Sequence, residues 1–402
     1  MSYLPHQVKA SDELLAIIRQ KAIALLAGLP RTGKTRAAIR VAERSKAGRI
    51  LVVTKKAAID GWHSELEAVN ALKLYTVTNY EQVAKLEDQF DFVIVDESHN
   101  IGRPGKPTQR LQALKQVAYG LPVLLLTGTP AAETHLAYYY QFSLSKWSPF
   151  AAFRNFYEFF NHWGIPHQIK VNGHLRETYK RARPELLPFL SPYIVKISQD
   201  DAGIKYQAQD RVHTVILQPE TKALIEKIKK DKVAHIGSQL RGFETDIAER
   251  VAVHQLEYGA VLLDDEIVDN GNTEVVDFLL KEFGDYEDIG FMCHFRSTRF
   301  VLEKFFKKAK IFSSNAHAEG VNLSHLAHFV IVNSDYSGAR FVQRRERITN
   351  INRTTEAVVH HIVTDGGISK AVYQTLRQKK DFTLKLYRDE RIRRSKENYQ
   401  TS

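Results

Sequence analysis

The 402-residue chain reads as an α/β protein of two doubly wound parallel-sheet domains, separated by a mostly helical, aromatic-rich section and followed by a basic tail. Three observations predict this. Short apolar runs alternate with helical patterns over the first 130 residues, the same grammar returns from Ile289 onward, and the stretch between them breaks it.

In the first domain the strands are Ala22–Ala27, Ile50–Thr54, Leu74–Thr78, Phe92–Val95 and Val123–Thr127. They are largely continuous apolar runs, as strands covered on both faces require. Thr35–Ser45 and Ala57–Val69 carry the helical pattern between them. The middle section is dense in rings, with 12 aromatic residues in the 26 positions from Tyr138 to Trp163. Phe153, Phe156, Tyr157 and Phe160 fall on one helical stripe, which predicts packing onto the first domain. Lys222–Val233 and Glu244–His254 read as exposed helices. The second domain has strands Ile289–Cys293, Lys310–Ser313, Phe329–Val332 and Ala357–Val363, with a helix over Thr298–Lys308. The predicted divisions are 1–135, 136–260, 261–369 and 370–402. Lys370–Lys396 holds ten Lys or Arg against three acids, and its Phe382, Leu384, Leu386 and Tyr387 predict a partly docked helix with a basic outer face.

Chemistry enters at Gly28-Leu-Pro30-Arg31-Thr32-Gly33-Lys34-Thr35, a G-x-x-x-x-G-K-T pattern directly after an apolar strand and opening a helix. In that context the backbone amides cradle phosphate oxygens, Lys34 neutralises their charge, and the Thr35 hydroxyl ligates Mg²⁺. Asp91-Phe-Val-Ile-Val-Asp96-Glu97-Ser98-His99 is a second apolar strand, ending in adjacent carboxylates. Asp96 is placed to hold the metal and Glu97 to orient and deprotonate a water. The pairing predicts nucleotide hydrolysis assisted by Mg²⁺.

Asp96-Glu97-Ser98-His99 with Leu124-Leu-Leu-Thr127-Gly128-Thr129-Pro130 resembles motifs II and III of the superfamily 2 helicases and translocases, and the Thr-Gly-Thr-Pro form is similar to their Swi/Snf branch. Further blocks follow in that family's order. Tyr3-Leu4-Pro5-His6-Gln7 resembles the adenine-reading Q motif, Ile50–Lys56 motif Ia, and Tyr75–Tyr80 motif Ib. Gly290–Arg296 resembles motif IV, Ser313–Leu323 motif V, and Gln343–Asn350 motif VI. The wording of the last block and the chain's compact size are similar to bacteriophage branch-migration helicases. The resemblance implies two RecA-like domains with ATP held between them. It implies a nucleotide set of Gln7, Pro30, Arg31, Thr32, Gly33, Lys34, Thr35, Arg36 and Gly320. Arg344 and Arg347 are implied as γ-phosphate sensor and arginine finger, if motif VI is aligned as Arg-x-x-Arg-Ile; Arg345 and Arg353 are the alternatives. Thr54, Lys55, Thr78, Asn79 and Tyr80, with His294, Arg296, Ser313 and Asn315, match blocks that line the family's DNA track. Thr127 and Thr129 are implied to couple the two activities.

Composition agrees. The formal net charge of +11 favours a polyanionic partner, and the resemblance implies that this is DNA in duplex, forked or four-way form. A lone cysteine, Cys293, excludes an internal disulfide or a cysteine zinc cluster and reads as a core residue. No apolar run of about 18 residues occurs, so the expectation is a soluble cytoplasmic protein with no membrane association; a monomer with no structural metal cluster is expected as well. Two rival functions remain at this stage: an ATPase that displaces DNA-bound protein without separating strands, and a nucleotide-gated DNA-binding module.

Overall fold

A computed structural model describes the chain from residue 3 to residue 390, apart from 30–31, 103, 129, 132–133, 172–173, 204–207, 314–322, 324, 346–347, 349–352, 354, 379 and 385. The chain forms two compact units, Met1–Ile204 and Lys205–Ser402. The predicted middle section is therefore not a body of its own. Its first part belongs to unit 1 and the remainder to unit 2.

Unit 1 runs α1 (Pro5–Lys21), β1 (Ile23–Gly28), α2 (Lys34–Ser45), β2 (Ile50–Thr54), α3 (Ile59–Glu67), β3 (Tyr75–Asn79), β4 (Phe92–Val95), α4 (Gln109–Ala118) and β5 (Val123–Thr127). It continues through α5 (Tyr138–Phe142), α6 (Phe156–Trp163), the hairpin β6 (Gln168–Val171) and β7 (His174–Glu177), α7 (Leu186–Leu190) and β8 (Ile194–Ile197). The sheet order is β3-β2-β4-β5-β1-β8, with every pair parallel. Alternate strand residues feed two cores. Ala24 and Leu26 pack with α1, α2 and α3, whereas Ile23 and Leu25 pack with α4 and the aromatic section. The rings thus supply the second face of the sheet, with Tyr139 and Phe150 lying 4.8 and 4.7 Å from Phe159.

The aromatic stripe differs from the expected one by its starting point. Asn155 caps α6, its Oδ1 accepting from Tyr157 N at 2.9 Å and Glu158 N at 3.0 Å, so Phe153 lies before the helix. Phe156, Phe159 and Phe160 are buried while Tyr157 is 45% exposed. The segment after Arg183 buries Leu186 and Leu190 and delivers β8 to the edge beside β1.

Unit 2 runs β9 (Ala208–Val215), α8 (Pro219–Asp231), the hairpin β10 (Val233–Ile236) and β11 (Gln239–Gly242), α9 (Asp246–Leu256), and a second hairpin β12 (Ala260–Leu263) and β13 (Glu266–Asp269). Then come α10 (Glu274–Phe283), β14 (Ile289–Cys293), α11 (Arg296–Phe305), β15 (Lys310–Ser313), β16 (His328–Ile331), α12 (Gly338–Arg345), β17 (Ala357–Thr364) and α13 (Ser369–Arg377). Its sheet, β15-β14-β16-β17-β9, is also parallel throughout. The helices α8 and α9, expected as exposed, bury Ile225, Ile228, Val253 and Leu256 in a core shared with α13. Phe382 and Tyr387 enter the same core, Tyr387 donating to the buried Glu249 at 2.6 Å, while Leu386 is 38% exposed. The docked part of the tail is thus integral to unit 2. Cys293 is buried in β14.

Three histidines from neighbouring strands form a chain in unit 2. His213 Nε2 lies 2.9 Å from His360 Nδ1, and His360 Nε2 lies 3.0 Å from His328 Nδ1. Burial lowers all three pKa values, with neighbouring His213, His328 and Arg211 adding to the effect on His360, which falls to about 3. Burial also lowers His254 to about 3. Between these folded values and the unfolded value near 6.5 the unfolded chain binds more protons. Stability is therefore complete above about pH 6.5 and falls as pH drops, by up to about 1.4 kcal/mol per pH unit for each imidazole that stays neutral. Urea unfolding of unit 2 at pH 7.5, 6 and 5 should show this slope, and His360→Asn should flatten it. An unchanged slope in that variant would remove the chain as its source.

Candidate functional site

The phosphate-loop residues lie at the carboxyl end of β1. Gly33 caps α2 with φ +76°, the left-handed region that glycine adopts at little cost. A β-carbon there would meet Gln7 Nε2 at 2.3 Å, so the loop closes directly onto the Gln7 amide. Gln7 is buried in the first turn of α1, where its Oε1 accepts from Leu4 N at 3.0 Å. His6 Nε2 lies 3.1 Å from Thr32 O, and Thr32 donates to Leu29 O at 2.8 Å. Lys34 Nζ reaches Gly28 O at 2.8 Å and Leu29 O at 3.2 Å, which keeps the ammonium at the loop itself. Thr35 is half-buried in the first turn of α2, and Arg36 pairs with Glu65 on α3. Pro30 and Arg31 lie outside the described residues.

The carboxylates lie at the end of β4, separated from β1 in the sheet by β5. Asp96 Oδ2 accepts from Thr54 Oγ1 at 2.9 Å and from Trp62 Nε1 at 3.0 Å. Its Oδ1 accepts from Glu97 N at 2.9 Å, and Tyr80 OH donates to its main-chain oxygen. Glu97 has φ +49°, a left-handed backbone in a residue with a side chain, of the kind that clusters at functional sites. Its Oε2 lies 3.3 Å from His99 Nδ1, which is itself 2.9 Å from Thr127 Oγ1 at the end of β5. Burial, reinforced by the nearby Lys55 and Lys34 ammonium groups, lowers the His99 pKa to about 4 and keeps the ring neutral. Ser98 donates to Gln141 Oε1 at 2.8 Å, and Gln141 Nε2 donates to Pro130 O at 2.6 Å, so a buried glutamine of α5 joins the two loops. Thr129 is outside the described residues.

Two residues matched to the DNA track point inward. Thr54 is wholly buried and Tyr80 is 3% exposed, both bonded to Asp96. Asn79 Oδ1 closes a turn by accepting from Glu81 N and Gln82 N, each at 3.1 Å, while Lys55 and Thr78 are half-buried. In unit 2, His294 is half-buried with its main-chain N–H donating to Asn333 Oδ1 at 2.7 Å, Ser313 ends β15 half-buried, and Arg296 is exposed. Asn315 and Gly320 lie outside the described residues.

Motif VI is the largest departure. Arg344, matched to a γ-phosphate sensor, is fully buried in unit 2 and donates to Asp335 at 3.1 and 2.8 Å. Both alternatives are also committed inside the unit. Arg345 binds the Asp210 carboxylate and Ala208 O, and Arg353 donates to Ile348 O and Leu326 O. Arg347 is outside the described residues. Trp62 and Gln141 were not anticipated as site residues.

No family model matches the chain, and no curated protein matches it. Among solved structures, the Sulfolobus solfataricus SWI2/SNF2 ATPase core in complex with dsDNA is similar over 94% of this chain and 91% of that one, at 17% identity and a TM-score of 0.42. The Sulfolobus solfataricus SWI2/SNF2 ATPase core domain is similar over 94% and 89%, at 18% identity and a TM-score of 0.42.

Proposed function

We propose that this chain is an ATP-dependent DNA motor of the Swi/Snf type, acting as a monomer on duplex and branched DNA to remodel forks and four-way junctions. The observation that carries the reading is the gathering of Lys34, Thr35, Asp96, Glu97, His99 and Thr127 at the carboxyl ends of β1, β4 and β5 in unit 1. In open α/β sheets this edge is where phosphate ligands bind.

The residues fit ATP with Mg²⁺. The loop ends in a positive-φ glycine at a helix N-terminus, and Lys34 is held at its mouth. Among the described residues no group of three or more His, Cys, Asp or Glu is arranged to cage a metal. Mg²⁺ is usually bound through one or two protein oxygens, here Thr35 and Asp96, and completed by phosphate and water. When bound, Mg²⁺ neutralises phosphate charge. Glu97 orients the attacking water and accepts its proton, while neutral His99, fixed against Thr127, sets the position of that carboxylate.

The net charge of +11 and the exposed Arg296 support contact with DNA phosphates, which gives sequence-tolerant binding. At a branch point each broken pair is replaced by another, whereas plain unwinding must supply roughly 1.4 kcal/mol of stacking per step. The proposed setting is the cytoplasm of a phage-infected host.

Phosphate release by the full chain, with single-stranded, duplex, forked and four-way DNA, tests this. Duplex DNA should stimulate turnover, and junctions should be remodelled faster than a tailed duplex is unwound. Glu97→Gln should bind ATP yet lose about 10²–10⁴-fold in turnover. Stimulation only by single strands, with no junction activity, would replace the proposal with a conventional helicase. Duplex-stimulated turnover with neither junction remodelling nor unwinding would favour a protein-displacing ATPase.

A further inference from the structure

Thr54, Trp62 and Tyr80 converge on Asp96 from the end of β2, from α3 and from the turn after β3. Trp62 is 2% exposed and Thr54 is fully buried, so neither side chain meets a substrate from solvent. Both donate to the same atom, Asp96 Oδ2, at 3.0 and 2.9 Å. A carboxylate offers about four lone-pair sites over its two oxygens. Two donors on Oδ2 and one backbone N–H on Oδ1 leave the remaining capacity, about one site, on Oδ1.

We propose that Thr54 and Trp62 are positioning residues, which hold Asp96 from behind so that the carboxylate presents a fixed edge to the metal of a bound nucleotide. This rests on the assignment of Asp96 as a metal ligand. Trp62 also packs in the core with Leu66, Ile39 and Val52, so its ring is immobilised and its N–H direction is set. Partners that orient a ligating carboxylate typically cost 10–100-fold in metal affinity when removed.

The test is Mn²⁺ binding to the full chain saturated with a non-hydrolysable ATP analogue, read from the electron paramagnetic resonance of free Mn²⁺. Analogue affinity is also measured in EDTA. Trp62→Phe keeps the packing and loses the N–H; Thr54→Val loses the hydroxyl, and Thr54→Ser restores it. Trp62→Phe and Thr54→Val should each weaken Mn²⁺ by about 10-fold or more, with Thr54→Ser near wild type and analogue affinity in EDTA unchanged. A general packing defect would instead lower both affinities. Wild-type Mn²⁺ affinity in Trp62→Phe and Thr54→Val, alongside a large loss in Asp96→Asn, would overturn the inference alone. Wild-type affinity in Asp96→Asn would overturn the metal assignment beneath it. If Trp62→Phe fails to fold by circular dichroism, the Thr54→Val and Thr54→Ser pair decides.

Discussion

Lys34→Ala should lose ATP hydrolysis by about 10²–10³-fold or more, the scale on which removing one preorganised charge partner of a transition state is felt, while keeping its fold. The structural cost is small because of what the side chain holds. Lys34 Nζ reaches the carbonyls of Gly28 and Leu29, within its own loop. Losing such partly exposed hydrogen bonds costs about 1 kcal/mol. The catalytic cost is large because a compact ammonium at the loop mouth neutralises phosphate charge that would otherwise stay uncompensated. Gly33, one residue earlier, makes a useful contrast: any side chain there meets Gln7 and an unfavourable φ, so its replacement perturbs the loop itself. Phosphate release with duplex DNA, measured alongside the thermal unfolding midpoint, separates the two effects. Near-normal turnover in a folded Lys34→Ala protein would end the assignment of the site.

What could be read in the chain follows what each element shows to solvent. The strands β2, β4, β5 and β14 are covered on both faces, so every residue is apolar or buried and the run announces itself. The edge strands β8 and β9 are not covered this way. Ile194-Val-Lys-Ile alternates, and Gln209 to Arg211 are exposed, so neither stands out as an apolar run. The phosphate loop and Asp96-Glu97 were legible because a local pattern fixes their backbone context. Side-chain direction was not. Thr54 closes a strand in which all five residues are buried, so its turn inward toward Asp96 depends on neighbours rather than on spacing. Trp62 and Gln141 find partners 34 and 43 residues away, and the histidine chain exists only because the sheet sets β9 and β16 on either side of β17. Residue order carries no trace of such meetings.

Arg344→Ala should act mainly on stability, costing unit 2 about 3–5 kcal/mol, the scale of breaking one partner from a buried ion pair. Arg344 is fully buried and its side chain donates twice to Asp335, whose own side chain is 7% exposed. Burial acts to raise the Asp335 pKa, yet the Arg344 guanidinium, together with His294 and the Ser337 N–H, holds the carboxyl below its ordinary value. Removing that guanidinium leaves the carboxylate with Arg340 at 3.0 Å and Ser337 N at 3.2 Å. Arg340 is 57% exposed, so water screens what it can return. The double variant Arg344→Ala with Asp335→Ala removes the stranded charge as well and should recover part of the loss. Urea unfolding of the two variants measures both steps. A residue serving chiefly as a γ-phosphate sensor behaves differently, losing turnover by orders of magnitude at unchanged stability. That outcome in Arg344→Ala would return the residue to the reaction, whereas a destabilised protein that still turns over ATP fixes it as the anchor of α12.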